Sequence, residues 1–102
     1  MNNYSITQQK SKDDKSYQIV FTGELSFNHI ESIFKKTASI LKTRPKADII
    51  LEDVDILDLS FIQMLISLKK TYQSKVELNL SEDLIELIQV SGFYKYLIEE
   101  NK

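Results

Sequence analysis

The 102-residue chain has no cysteine, a single histidine and two glycines. Without cysteine there is no disulfide framework and no thiolate chemistry, a composition that suits a reducing cytoplasm. With His29 alone there is no His/Cys zinc set and no Cys–His pair. A Ser-His-Asp triad would have to draw on His29, and no Gly-x-Ser-x-Gly elbow is present to carry its serine. Gly23 and Gly92 lie too far apart to build a phosphate-cradling loop. No apolar run approaches the roughly 20 residues that span a bilayer. Met1 to Ser5 lacks the charged-then-apolar pattern of a secretory signal. The net charge of −2, from 13 basic and 15 acidic residues, gives no basic surplus of the kind nucleic-acid binders carry. The expectation is a cytoplasmic protein without membrane insertion, nucleic-acid partner, metal or cofactor.

What is present reads as one α/β domain over residues 1–102, long enough for one core that buries roughly 60–65% of the unfolded surface. Tyr4 to Gln9 and Tyr17 to Thr22 alternate as two antiparallel strands, and Gly23 is expected to break the second. Phe27, Ile30, Ile33, Phe34, Ala38 and Leu41 recur at helical spacing. Ser26 or Asn28 is placed to cap that helix, the latter in a capping box with Glu31. Ala47 to Glu52 is a short apolar run that suits a strand covered on both faces. An acidic turn with Glu52, Asp53, Asp55 and Asp58 follows. A second helix then begins at Leu59, with Ile62, Leu65, Leu68 and Tyr72 as its inner stripe and Phe61 alongside. Lys75 to Leu80 alternates as a strand, and Ser81-Glu82-Asp83 caps a third helix with Leu84, Leu87 and Ile88 inward. Gly92 ends that helix, and Phe93 to Ile98 is a last strand or helical turn. The order β-β-α-β-α-β-α implies a mixed sheet with helices mainly on one face.

The junction around Asp58 is the natural place for function, since a helix that starts just past a strand end presents backbone N–H groups and a positive dipole. Grouped carboxylates at a strand end suit Mg²⁺, although capping of the second helix alone accounts for an aspartate at position 58. Lys35-Lys36 and Lys69-Lys70 read as solvated helix faces, and His29 as a first-turn helical residue.

Three segments carry a family likeness. Phe21-Thr22-Gly23-Glu24-Leu25 reads as a strand followed by Gly-Glu-Leu. Ile49-Ile50-Leu51 leads through Val54 to Ile56-Leu57-Asp58, and Val90-Ser91-Gly92-Phe93 closes the third helix. In this order and spacing they resemble the STAS domain of bacterial anti-sigma factor antagonists. The resemblance implies that single-domain fold and a partner-binding surface at the start of the second helix: Asp58, Leu59, Ser60, Phe61, Ile62 and Met64. Antagonists of that family switched by phosphorylation typically read Asp-Ser-Ser-Gly-Leu where this chain reads Asp58-Leu59-Ser60-Phe61-Ile62. The usual acceptor serine is therefore Leu59, which has no hydroxyl, and Ser60 is the one modifiable side chain left there.

Two function classes follow. The first is a non-catalytic, signal-transducing interaction module that docks a protein partner without a phosphoserine switch. The resemblance implies an anti-sigma factor kinase as that partner, or a chemotaxis-type signalling protein or a lipid-transport ATPase subunit. Leu59, with Phe61 or Met64 wherever these face outward, would supply apolar anchors. The second is a Mg²⁺-dependent, phospho-accepting aspartate protein of receiver type, using Asp58 with Asp53 or Asp55. Thr7-Gln8-Gln9 lacks the acidic pair that receivers place at the end of their first strand.

Overall fold

The computed structural model describes residues 3–11, 16–72 and 74–98. Alternation in the first two strands produces a hairpin, β1 (Tyr4–Lys10) antiparallel to β2 (Tyr17–Leu25). The apolar run after Ala47 forms β3 (Asp48–Leu57), parallel to β2, and β4 (Val76–Asn79) lies parallel to β3. The four-stranded mixed sheet has the order β1-β2-β3-β4. The helices are α1 (Ile30–Thr43), α2 (Leu59–Tyr72), α3 (Glu82–Val90) and the single turn α4 (Tyr94–Leu97).

Register explains how the helices come to one face. Ile19 pairs with Ile49 and Phe21 with Leu51, and Ile49 and Leu51 pair in turn with Val76 and Leu78, so these side chains share one face. Ile33 and Leu41 of α1, Phe61, Ile62, Leu65 and Leu68 of α2, Ile88 of α3 and Leu97 of α4 join them in one buried cluster. Phe21 and Phe61 meet edge to face, with ring centroids 5.6 Å apart, a pairing worth about 0.5–1.5 kcal/mol beyond area burial. Among the described residues, only the adjacent Val20 and Ile50 are buried on the opposite face, outside that cluster. Polar pairs surround them: Ser5 with Thr22 at 2.6 Å, Gln9 donating to Gln18 at 2.9 Å, and Asn79 donating to Glu77 at 2.9 Å.

Several expectations need correction. Gly23 does not end β2. It takes a left-handed conformation (φ 88°) inside the strand, and the Asn3 carbonyl, which accepts from the Glu24 N–H at 2.9 Å, occupies the space a Cβ would fill. The acidic segment is not a turn, because β3 runs on through it. Phe21 faces Leu51 and Gly23 faces Val54, and then Glu24 faces Ile56, so β3 accommodates extra residues as bulges. Asp53, at φ 51°, absorbs part of that excess. In α1 the buried stripe is Ile33, Thr37 and Leu41, whereas Phe27 is 69% and Phe34 44% exposed. Helical spacing alone placed both phenylalanines inward, but α2 covers only part of α1. Lys69 is buried rather than solvated.

Candidate functional site

The site forms where β2 and β3 end side by side. Leu25 pairs with Leu57, and the Asp58 N–H donates to the Leu25 carbonyl at 3.0 Å. The chain leaves β2 through Ser26 into a 3-10 turn (Phe27–His29) that feeds α1. Neither Ser26 nor His29, the residues before the turn and before α1, makes a side-chain capping bond. The turn is held from outside: the Phe27 N–H donates to the Asp58 carboxylate at 2.7 Å. Asp58 was expected to cap α2 with its side chain. Instead its backbone carbonyl opens that helix by accepting from the Phe61 and Ile62 N–H groups at 3.1 and 3.3 Å, and its carboxylate tethers the start of the neighbouring helix. Helix-start geometry was legible in the sequence; which helix the carboxylate serves depends on the sheet register.

Ser26 is buried and donates to Glu24 at 2.7 Å. That bond first, with the nearby His29 charge and a bond from Asn28 assisting and burial opposing, holds the Glu24 carboxyl below its ordinary value. His29 Nε2 stands 3.7 Å from the same carboxylate, and its ring lies 5.1 Å from that of Tyr4. Serine, histidine and glutamate are thus neighbours, but the hydroxyl bonds the carboxylate rather than the imidazole. The Ser26 proton points at the Glu24 carboxylate and not at the imidazole, so the arrangement differs from a serine–histidine–acid relay.

The six expected contact residues divide. Phe61 and Ile62 are wholly buried and offer a partner no side-chain surface. Leu59, in the first position of α2, is 39% exposed. Met64 is half-buried and lines a groove of about 650 Å³ with Phe27, Ile30, Phe34, Asn28 and Glu31. Asp58 is half-buried and engaged with Phe27. Ser60 Oγ is sealed from solvent and has no hydrogen-bond partner among the described residues. Asp53 and Asp55 point outward from the bulged strand, and among the described residues no three His, Asp or Glu side chains converge as a metal-holding set.

No protein-family model matches the chain, and no curated protein matches it.

The groove-lining Phe27 and Phe34 escaped the sequence reading because their spacing fits a core stripe. A second signal was available. Residues 18–34 and 53–68, which include the groove lining, contain no lysine or arginine, yet they hold Glu24, Glu31, Asp53, Asp55 and Asp58. Parallel strands turn this segregation into a polar molecule. The carboxyl ends of β2, β3 and β4 point one way, gathering Glu24, Asp58, Glu82 and Asp83 at one rim. Lys42, Arg44 and Lys46 before β3, and Lys69, Lys70 and Lys75 before β4, gather at the other.

Proposed function

We propose that this protein is a non-catalytic interaction module, related in kind to STAS-type anti-sigma factor antagonists, that docks a regulatory protein partner constitutively at the start of α2. The observation that carries the reading is Leu59: an apolar side chain, 39% exposed, stands at the first helical position where a switchable antagonist would bear its acceptor hydroxyl. A phosphate there would gain from the helix dipole and repel an acidic partner surface, and leucine can do neither. The neighbouring hydroxyl favours the same reading, since a kinase would have to expose the enclosed Ser60 Oγ before transferring to it. The proposed setting is the cytoplasm, where the partner class is an anti-sigma factor kinase, a chemotaxis-type signalling protein or a transport ATPase subunit.

The test is Leu59→Glu in the full chain. Glutamate in a first helical turn is favoured by the dipole by about 0.3–1 kcal/mol, which offsets part of the lost apolar contact, so the fold should survive. Affinity purification from the protein's own cells should recover a stoichiometric partner with the native chain, lose it with Leu59→Glu, and retain it with Glu77→Lys on the opposite sheet face. Equal recovery with native chain and Leu59→Glu would refute the docking role. Phosphopeptide mapping to Ser60 after incubation with that partner and ATP would refute the constitutive part.

A further inference from the structure

We infer that the groove between the start of α1 and α2 takes a cationic polypeptide segment of the partner, one that carries a bulky apolar anchor flanked by lysine or arginine. The inference rests on the docking reading above and deepens it by naming the partner's chemistry. The apolar half of the argument is the groove itself. Phe27, 69% exposed, Phe34, 44% exposed, and Met64 form a surface that nothing among the described residues covers, whereas Phe21 and Phe61 are completely enclosed and Phe93 is half-buried against the core. Exposed aromatic side chains grouped around a concave surface mark interaction sites.

The charge half decides the occupant. Glu31 lines the groove, and the Asp58 carboxylate adjoins it through the Phe27 N–H. Asp53, Asp55 and Glu24 stand on the same strand ends. Of the two lysines that follow Phe34, Lys36 bonds the Tyr4 hydroxyl at 3.0 Å and lies over its ring, and Lys35 lines a separate hollow with Ile6, Ser39 and Ile40. An anionic segment would meet Glu31 at the apolar seat and the exposed Asp53 and Asp55 nearby, whereas a cationic one would be steered to it and held there.

Two arrangements of a second copy, through the groove itself and through the basic rim, fit poorly. Groove-to-groove pairing would bring Glu31 and its neighbours against their own copies. Head-to-tail pairing would bring in the basic rim, but the segments 40–47 and 69–75 contribute none of the exposed large apolar side chains and so offer no anchor for the groove.

The experiment uses the full chain and two fluorescein-labelled peptides: one with leucine and phenylalanine anchors flanked by lysines, and its twin with every lysine replaced by glutamate. Fluorescence anisotropy should show binding of the lysine peptide that weakens steadily with added salt, and no saturable binding of the twin. Phe34→Ser should weaken the lysine peptide by at least about tenfold, the loss of a hot-spot contact. Phe27→Ser, which alters a mostly exposed side chain, should do the same even where Phe34→Ser disturbs the fold. Glu31→Lys should weaken it about three- to tenfold, and Glu86→Lys on α3, beyond α2, should change it less than about twofold.

Equal binding of the two peptides would overturn the inference. So would equal effects of Glu31→Lys and Glu86→Lys, which would reduce the attraction to bulk charge. A dimer in sedimentation that Phe27→Ser dissociates would assign the groove to a second copy and overturn it too. If the peptides fail while Leu59→Glu still loses the cellular partner, only the partner's chemistry is wrong. If Leu59→Glu keeps the partner, the docking reading itself falls.

Discussion

Replacing Asp58 by alanine tests how the site is assembled. In the native chain one residue holds two helix starts: its carboxylate accepts from the Phe27 N–H at 2.7 Å, and its carbonyl accepts from the Phe61 and Ile62 N–H groups. The substitution removes only the carboxylate. A hydrogen bond to a charged acceptor is worth about 1.5–3 kcal/mol, and solvent access at this half-buried position favours the low end, about 1.5 kcal/mol. For a domain of this size that corresponds to a fall in melting temperature of about 6–12 °C. Asp58→Asn keeps an acceptor oxygen without the charge and should cost about half as much. Urea unfolding measures the cost, and amide exchange locates it. Exchange should accelerate first at Phe27 and the turn that follows, while the Phe61 and Ile62 amides, bonded to the backbone of residue 58, stay protected. A cost below about 0.3 kcal/mol for Asp58→Ala would show that the tether contributes nothing. Faster exchange at Phe61 before Phe27 would return Asp58 to the role of an ordinary α2 cap and refute the reasoning.

Two further perturbations probe the packing and the carboxylate cluster. Phe61→Ala, in a side chain with no exposure, should cost about 3–5 kcal/mol in urea unfolding, and Phe27→Ser should stay within about 0.5 kcal/mol of the native chain. Similar costs for the two would contradict the division between core and groove. Ser26→Ala should raise the Glu24 pKa toward the ordinary carboxylate value, read by NMR titration of its side-chain carboxyl. Because the folded pKa is depressed, its stabilising effect is present above the unfolded-state pKa of Glu24 and lost as pH falls through the lower folded value. The pH-dependent part of the stability gap between native chain and variant should therefore close in that acidic window. An unmoved Glu24 titration would refute the role given to Ser26.

The amino-acid sequence by itself determined the element order, the mixed sheet with helices mainly on one face, the inner stripe of α2 and the Ser81 cap, whose Oγ accepts from the Leu84 N–H at 3.4 Å. These follow from local rules of periodicity and capping, which act over one or two turns and need no knowledge of what lies opposite. It also marked the first position of α2 as one with few neighbours, and Leu59 there is 39% exposed, whereas Phe61 and Ile62 behind it are wholly buried. Tertiary structure alone decided the rest. Whether Phe27 and Phe34 are core or surface depends on how much of α1 the neighbouring α2 covers, and spacing along α1 carries no information about that. Whether Asp53 and Asp55 sit in a turn or a bulged strand depends on pairing with β2 across the sheet. Which helix the Asp58 carboxylate serves is set by the register that brings Leu25 beside Leu57, a contact between residues far apart in the chain. The segregation of charge lay in the sequence as two stretches without lysine or arginine, but it became a rim only once parallel strands pointed their ends the same way.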